Sequence, residues 1–184
     1  MVSVGVIVEG SYDEAVLSEV VWNCLSSEAT VICRTCGNAI QLMKKFPAFL
    51  EEFRHANNGL PVDRAIVIRD ADHKNPAELI ARMEDRIRDR IYSFPRKLLV
   101  IVEEMEAWLL ADEEALTTVT GKHQHRIPNP ETIYDPKARL EKILSDARIT
   151  YTAEVARKIA TTARPGILAA RCSSFRKFQE AVSG

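Results

Sequence analysis

Residues 2–17 read VSVGVIVEGSYDEAVL and decide the fold class. A run of β-branched residues over positions 2–8 predicts a short buried strand, and Glu9-Gly10-Ser11 predicts a turn directly after it. From Tyr12 to about Leu25, apolar residues recur at helical spacing, which predicts a helix packed on a sheet. A strand followed at once by such a helix indicates an α/β protein.

The alternation of strands and helices continues through the first 112 residues. Asn75-Pro76 predicts a helix start, because proline suits the first position of a helix, and the apolar stripe of that helix runs to Ile91. Its other face carries charges of both signs and predicts a solvated salt-bridge surface. Strands that alternate with helices predict βαβ units and a mainly parallel, four-stranded sheet flanked by helices, in a Rossmann-like arrangement. The other strands are predicted at 30–34, 64–68 and 97–102, and another helix at 39–55.

Residues 113–184 differ in character from the α/β core that is predicted over residues 1–112. A polar loop is predicted over residues 117–129, and Asp135-Pro136 predicts a helix start after it. We expect this region to form a C-terminal helical lobe that packs on the core as one unit. Its helices are predicted at 137–146, 152–163 and 173–182.

The composition is that of an ordinary globular protein, with 46% hydrophobic and 28% charged residues among 184. No apolar run approaches the roughly 18–20 residues of a membrane helix, and the N-terminus does not resemble a secretion signal, so we expect a cytoplasmic protein with no membrane partner. The net charge is −1, but residues 1–112 hold 13 basic and 18 acidic side chains, whereas residues 113–184 hold 12 and 8. A basic field over the whole surface is therefore absent. The unequal division is either functional or a chance feature of two solvated surfaces.

Carboxylates follow three of the four predicted strands. Glu9 follows the first strand, Asp70 and Asp72 follow the third, and Glu103 and Glu106 follow the fourth. Ligands of open parallel sheets bind at the carboxyl ends of the strands, so we expect these side chains at one edge of the sheet. Carboxylates brought together repel one another unless a cation lies between them, and their hard oxygen atoms suit Mg²⁺ or Mn²⁺.

Helix electrostatics offers another explanation for some of these acids. Helix N-termini favour negative charge, which accounts for Asp13 and Glu14 and can account for Glu103. It accounts poorly for Asp70 and Asp72, which precede their helix by several residues. Because these two aspartates are two positions apart in an extended segment, they project to the same side.

Two segments resemble the Toprim domain of topoisomerases, primases, recombination mediators and OLD-family nucleases. They are VIVEGSYDEAVL at 6–17 and IVIRDADHKNP at 66–76, which carry the strand-end glutamate followed by glycine and the D-x-D of that family. This likeness covers about residues 2–112. A group of small, uncharacterised bacterial Toprim-like proteins is also similar to VEEMEAWLLADEEAL at 102–116, to Asp135-Pro136 and to CSSF at 172–175.

The resemblance implies metal-dependent hydrolysis of phosphodiester bonds in DNA or RNA, with Mg²⁺ or Mn²⁺ as cofactor. It implies that Glu9, Asp70 and Asp72 are catalytic. Asp13 matches the second acid of OLD-type nucleases. Many OLD-like systems join a Toprim protein to a separate ATPase. The resemblance therefore implies that this protein is the effector of a bacterial phage-defence pair and that its ATPase partner is encoded nearby. The expected metal ligands are Glu9, Asp13, Asp70, Asp72, Glu103 and Glu106, and the expected phosphate-binding residues are Gly10 and Ser11.

Other side chains near these motifs have structural explanations. Ser11 can bind a phosphate or cap the helix that follows it, and capping is the expected role. Trp108 lies in an apolar segment and is expected in the core. His73 is expected to be an exposed loop residue, with proton transfer as the alternative. The tyrosines lack the sequence context of a topoisomerase nucleophile, so that activity is not expected.

Two other functions stay open at this point. A non-catalytic Toprim-like scaffold would bind nucleic acid or a protein, and it would keep that binding when the carboxylates are replaced. An α/β phosphatase or phosphoacceptor domain would use a strand-end aspartate with Mg²⁺, and beryllofluoride would label Asp70 or Asp72. A nuclease instead requires Glu9, Asp70 and Asp72 to converge within reach of one metal ion.

Overall fold

The computed structural model describes residues 1–25 and 29–184, and its centre is a sheet of four strands. The strands are β1 (Val2–Val8), β2 (Ala29–Thr35), β3 (Arg64–Asp70) and β4 (Arg96–Ile101). Their order across the sheet is β2-β1-β3-β4, and every pair is parallel. The predicted α/β fold, a four-stranded sheet flanked by helices in a Rossmann-like arrangement, is confirmed.

Helices make up most of the remaining described chain, and several begin at residues that supply a cap. The helices between strands are α1 (Ser11–Cys24), α2 (Ala39–Glu52) and α3 (Pro76–Ile87). The Asn38 side chain caps α2 and the Asn75 side chain caps α3, each by accepting a backbone hydrogen bond from the first turn. Beyond β4 follow α4 (Glu106–Leu109), α5 (Glu113–Thr120), a 3-10 turn (Pro130–Thr132), α6 (Pro136–Asp146), α7 (Ala153–Thr162), α8 (Pro165–Arg171) and α9 (Ser173–Ser183). Within residues 1–25 and 29–184, no helix has both the length and the apolar character that crossing a membrane requires.

Two apolar cores cover the two faces of the sheet, because successive side chains of a strand point to opposite faces. On β1, Val6 and Val8 point into one core and Ile7 points into the other, and all three are fully buried. The core on the Ile7 side is filled by α2 and α3, for example by Phe46 and Met83. The opposite core is filled by α1 and by the helices that follow β4. The sheet is therefore the middle layer of three.

The C-terminal helices share an apolar core with the sheet. Ile159 of α7 and Phe175 and Phe178 of α9 belong to the same buried cluster as Val4 and Ile66 of the sheet. Residues 113–184 thus pack on the α/β core, and the boundary at residue 112 stays a prediction.

The predicted polar loop over residues 117–129 is wrong in its first part, because α5 extends to Thr120. The helix begins where the fully buried carboxylate of Asp112 accepts backbone hydrogen bonds from its first turn. The guanidinium of Arg164 donates to both oxygen atoms of this carboxylate, at 2.7 and 2.8 Å. Gly121 then ends the helix in the left-handed region, with φ +65°. Asp112 and Gly121 are start and stop signals that the sequence displays.

The apolar stripe of α3 is shorter than predicted. The helix ends at Ile87, and Ile91, which we expected in the buried stripe, is 87% exposed. After α3 the chain turns toward β4, and Tyr92 and Phe94 occupy the buried positions instead. The turn before β4 therefore overrides the helical periodicity of the sequence.

Gly5 allows β1 to pass close to the ring of Phe53. A Cβ atom at Gly5 would lie 2.5 Å from Cε2 of Phe53, which is itself fully buried. We therefore expect Gly5→Ala to lower the free energy of unfolding by about 1–3 kcal/mol in urea denaturation. Gly166→Ala is the matched control, since its added methyl group meets no atom within 4 Å. Equal stability of the Gly5→Ala variant and the wild type would show that the contact with Phe53 is not tight.

Candidate functional site

The middle of the carboxyl edge of the sheet is a topological switch point. From β1 the chain passes through α1 to β2 on one side, and from β2 it passes through α2 to β3 on the other side. Ligands of open α/β sheets bind in the crevice where such connections diverge. Glu9 directly follows β1, and Asp70 is the last residue of β3. The backbone N–H of Asp70 donates to Oε1 of Glu9 over 3.3 Å, so the two acids meet at this crevice.

Asp13 joins them from the first turn of α1. Its Oδ2 accepts a hydrogen bond of 2.9 Å from the backbone N–H of Gly10, which is the residue that caps the helix. The expected capping by Ser11 is therefore wrong, because Ser11 is already the first residue of α1 and makes no capping hydrogen bond in the described structure. The Gly10 amide is engaged by Asp13, and phosphate binding at Gly10 and Ser11 stays a prediction.

Glu106 approaches the same crevice from α4. It is only 8% exposed, and its Oε1 accepts a hydrogen bond of 2.9 Å from the hydroxyl of Tyr151. The ring of Tyr151 lies 5.2 Å from that of Tyr12, measured between centroids, and Nζ of Lys137 lies 5.7 Å from the centre of the Tyr12 ring. This wall of the crevice thus combines a buried acid with two aromatic rings and a cation. The acidic edge is the name used below for Glu9, Asp13, Asp70 and Glu106.

Burial and mutual repulsion raise the pKa of the carboxyl groups in the acidic edge. Burial raises the pKa of Asp70 well above its ordinary value, and the negative charges of Asp13, Glu106 and Glu9 raise it further. Burial raises the pKa of Glu9 to about 7, although the guanidinium of Arg69 opposes the change. Burial is also the largest cause that raises the pKa of Asp13 and of Glu106. Ionising all of these acids together is therefore unfavourable in the folded chain.

Asp72 and Glu103 lie on a strained rim beside the acidic edge. Asp72, His73 and Glu103 all have positive φ angles, of +47°, +61° and +60°. Left-handed backbone is unusual for residues other than glycine, and it clusters at ligand sites. The backbone N–H groups of Ala71 and Asp72 donate to the carbonyl of Glu103, at 3.1 and 3.3 Å, which ties the two strand ends together. The rim is thus held in place by hydrogen bonds rather than being a loose turn.

The side chain of Glu103 faces His73. Its Oε2 lies 2.6 Å from Nδ1 of His73, although the two atoms are not aligned as a hydrogen bond. The His73 ring stacks on that of Tyr134, with centroids 4.1 Å apart. His73 is exposed, as expected, and Trp108 is buried in the core, as expected. Glu104 accepts a hydrogen bond from the backbone N–H of Lys137, at the start of α6. Of the acids after β4, Glu106 is therefore the one that joins the acidic edge.

Short sequence motifs do not reveal the aromatic and basic wall around Glu106. Tyr151 lies 45 positions after Glu106, and no short motif connects them. Lys137 follows Asp135-Pro136, a pair that predicts a helix start and adds to the Toprim-like resemblance but does not place Lys137 beside the crevice. Tyr12 lies inside the first motif, between the acids, and its position there is the one available clue.

The donor atoms of the acidic edge suit a hard divalent cation. Among residues 1–25 and 29–184, no three His, Cys, Asp or Glu side chains already stand in a geometry that holds a metal ion. The donors are nevertheless all carboxylate oxygens, which Mg²⁺ and Mn²⁺ prefer. A cation would also relieve the repulsion that raises the pKa of Asp70. Glu9, Asp70 and Glu106 line the crevice, and Asp72 lies on its exposed rim.

An all-parallel sheet with acids at its switch point defines an α/β protein of Rossmann-like arrangement with an acidic strand edge. The chain belongs to the family DUF4276, a domain of unknown function, whose profile matches residues 8–183. The matched range contains the whole acidic edge. No curated protein and no solved structure gives a significant match.

The raised pKa of Glu9 predicts that stability falls as the pH rises. A carboxylic acid with a raised pKa holds its proton more tightly in the folded chain than in the unfolded chain, so its stabilising contribution is present at low pH and lost at high pH. For Glu9 this window runs from the ordinary value of 4.5 to about 7. In EDTA, the unfolding free energy of the wild type should therefore fall between about pH 4.5 and pH 8. We expect this fall to be smaller by roughly 2–3 kcal/mol in the Glu9→Gln variant.

Urea denaturation at several pH values measures this effect. Glu141→Gln is the matched control, since Glu141 is exposed on α6, and it should keep the wild-type pH dependence. A Glu9→Gln variant with the same pH dependence as the wild type would show that Glu9 is not held in a protonation-sensitive environment.

Proposed function

We propose that the acidic edge binds Mg²⁺ or Mn²⁺ and that the protein hydrolyses phosphodiester bonds in nucleic acid. The observation that carries this proposal is the environment of Asp70. Its carboxylate receives no hydrogen bond from the described residues, and the charges of four further acids act on it, those of Asp13, Glu106, Glu9 and Asp72. Such a group favours either a proton or a cation, and at neutral pH a divalent cation is the better partner for several carboxylates at once.

The roles of the residues follow from their positions. Glu9, Asp70 and Asp72 would form the first ligand set, since they lie at the ends of the two central strands or directly after them. Asp13, which is held beside Glu9 by the backbone N–H of Gly10, and Glu106 from α4 would provide further carboxylates. A divalent cation held there supplies a Lewis acid that polarises a phosphoryl oxygen and lowers the pKa of a water molecule.

The protein itself would position these groups. The hydroxyl of Tyr151 fixes one oxygen atom of Glu106 and so orients its carboxylate. Hydrogen bonds from Ala71 and Asp72 to the carbonyl of Glu103 fix the rim on which Asp72 lies. Lys137, beside Tyr12, supplies a positive charge near the crevice that suits a phosphate group.

The resemblance to Toprim proteins supports phosphodiesters as the substrate class. A role in phage defence and a separate ATPase partner are further parts of the proposal that rest on this resemblance, and a cytoplasmic location is a part that does not. The acidic edge lies within one chain, so we expect cleavage without a partner, and an ATPase would regulate it.

Cleavage assays test the proposal. The protein is incubated with single-stranded and double-stranded DNA and RNA in Mn²⁺ or Mg²⁺, with EDTA as the control. We expect cleavage of at least one substrate that depends on the metal. A protein that is folded but cleaves none of them in either metal would contradict the proposal. Labelling of Asp70 or Asp72 by beryllofluoride would then favour a phosphoacceptor domain, and nucleic-acid binding without cleavage would favour a scaffold.

A further inference from the structure

A groove of about 580 Å³ lies between α2 and α3 and opens beside the carboxyl end of β3. Five cationic side chains line it, and none of its described lining residues is acidic. Its walls also contain apolar side chains, among them Ile40, which is 69% exposed. The basic groove is the name used below for the surface lined by Lys44, Arg69, Lys74, Arg82 and Arg86.

Arg69 connects the basic groove with the acidic edge. Its side chain is only 6% exposed, and its Nε lies 4.0 Å from Oε1 of Glu9. Nε donates to the carbonyl of Asp70 over 3.3 Å. In the part of the chain that the structure describes, neither terminal amino group of this guanidinium makes a hydrogen bond. Among the described residues, the buried side-chain atoms that lack a partner do not include a nitrogen of Arg69, so these amino groups are open to the groove. A phosphate group fits the two parallel donors of an arginine.

The other cations of the basic groove are also available to a ligand. Within residues 1–25 and 29–184, none of Lys44, Lys74, Arg82 and Arg86 forms an ion pair with a carboxylate. The expected salt-bridge surface of α3 is therefore only partly present, since Arg88 pairs with Asp85 but Arg82 and Arg86 do not pair. Arg82 and Arg86 are four residues apart and lie on one side of the helix. In a chain of net charge −1, this concentration of unpaired positive charge is a local anion-binding field.

We propose that the basic groove binds the phosphate backbone of single-stranded nucleic acid and leads it to the acidic edge. A single strand is favoured over a duplex because the guanidinium of Arg69 lies at the bottom of a gap between two packed helices. The groove has a volume of about 580 Å³, the size of a pocket for one small molecule, so single nucleotides of a strand can enter it and a duplex cannot. The exposed apolar side chains of the groove can also contact the faces of bases, which only an unpaired strand presents. The cleavage of the bound strand at the acidic edge rests on the proposed function.

Binding in EDTA tests the basic groove without any need for cleavage. The probe is a fluorescently labelled single-stranded oligonucleotide of about 20 nucleotides, followed by anisotropy at several salt concentrations. The variant Lys44→Gln/Arg82→Gln/Arg86→Gln removes three cations that are exposed on the surface. We expect its dissociation constant to rise roughly tenfold or more, and the slope of log K against log salt to fall by about 2, because each lost phosphate contact removes about 0.7.

The control variant Lys97→Gln/Lys158→Gln/Lys177→Gln removes the same charge from exposed positions outside the groove. It should bind like the wild type apart from a small general loss. Wild-type protein that does not bind the oligonucleotide, or a groove variant that binds as the control variant does, would overturn the inference. Equal affinity for a duplex of the same length would overturn the assignment to a single strand.

The same experiment separates this inference from the proposed function. Groove-dependent binding in a protein that never cleaves would support the basic groove and count against the nuclease. Metal-dependent cleavage that is equal in the groove and control variants, at substrate concentrations below saturation, would support the nuclease and count against the basic groove.

Discussion

Asp70→Asn is expected to reduce metal-dependent cleavage by about 1,000-fold or more. Asparagine keeps the size of the side chain but removes the charge that lies between Glu9, Asp13 and Glu106. If the proposed function is correct, this charge holds the cation on which hydrolysis depends. The measurement is the initial cleavage rate on the best substrate in Mn²⁺, compared with that of the wild type.

The same substitution should leave the fold intact. Because neighbouring charges and burial raise the pKa of Asp70, its ionised form is unfavourable in the folded protein without metal. In EDTA at about pH 8, the Asp70→Asn variant should therefore be at least as resistant to urea as the wild type. A large loss of stability would mean that Asp70 is a structural residue, and any loss of cleavage would then carry no information about catalysis.

Asp112→Asn is the matched control, because Asp112 is a buried aspartate in the opposite environment. Hydrogen bonds from Arg164 lower the pKa of Asp112 against the effect of burial. Its replacement weakens the ion pair and the cap of α5, so we expect a loss of about 1–3 kcal/mol in unfolding free energy. Below the unfolding temperature, the cleavage rate should stay close to that of the wild type. Asp70→Asn should thus lose cleavage and keep stability, whereas Asp112→Asn should lose stability and keep cleavage.

Trp108→Ala is expected to lower the free energy of unfolding by about 3–5 kcal/mol. Trp108 is 1% exposed, and its ring packs on Phe175 and Phe178 at centroid distances of 4.9 and 5.3 Å. Its Nε1 donates to Oγ of Ser174 over 2.8 Å, and the substitution leaves that hydroxyl without this donor. Urea denaturation measures the loss. Trp22→Ala is the control, since Trp22 is 48% exposed, and it should lose less than about 1 kcal/mol.

The number of transitions in the urea unfolding curve tests whether the sheet and the C-terminal helices unfold together. Trp108 belongs to the cluster that joins the sheet to α7 and α9, so its loss should weaken both regions together. We expect one cooperative transition, shifted to lower urea concentration, by circular dichroism and by fluorescence. Two separate transitions in the wild type would contradict a core that is continuous between residues 1–112 and the helices after them.

The strands and the acids at their ends could be predicted because the signals are local. A β-branched run such as residues 2–8 has one common structural outcome, and parallel strands bring their carboxyl ends to one edge. That rule alone placed Glu9 and Asp70 together, which the hydrogen bond between them confirms.

The remaining features depend on backbone detail or on distant contacts. Glu106 rather than Glu103 joins the acidic edge because Glu103 adopts a positive φ and faces His73, which residue type does not reveal. Tyr151 reaches Glu106 only because α7 packs on α1. The unpaired state of Arg82 and Arg86 likewise depends on which acids lie nearby in three dimensions.

Calorimetric titration with Mn²⁺ tests the central claim most directly, by comparing the wild type with Asp70→Asn in the same buffer at neutral pH. We predict saturable binding by the wild type and its loss in the variant, while both proteins unfold cooperatively. Wild-type protein that binds no Mn²⁺, or a variant that binds it equally well, would contradict a metal site at the acidic edge.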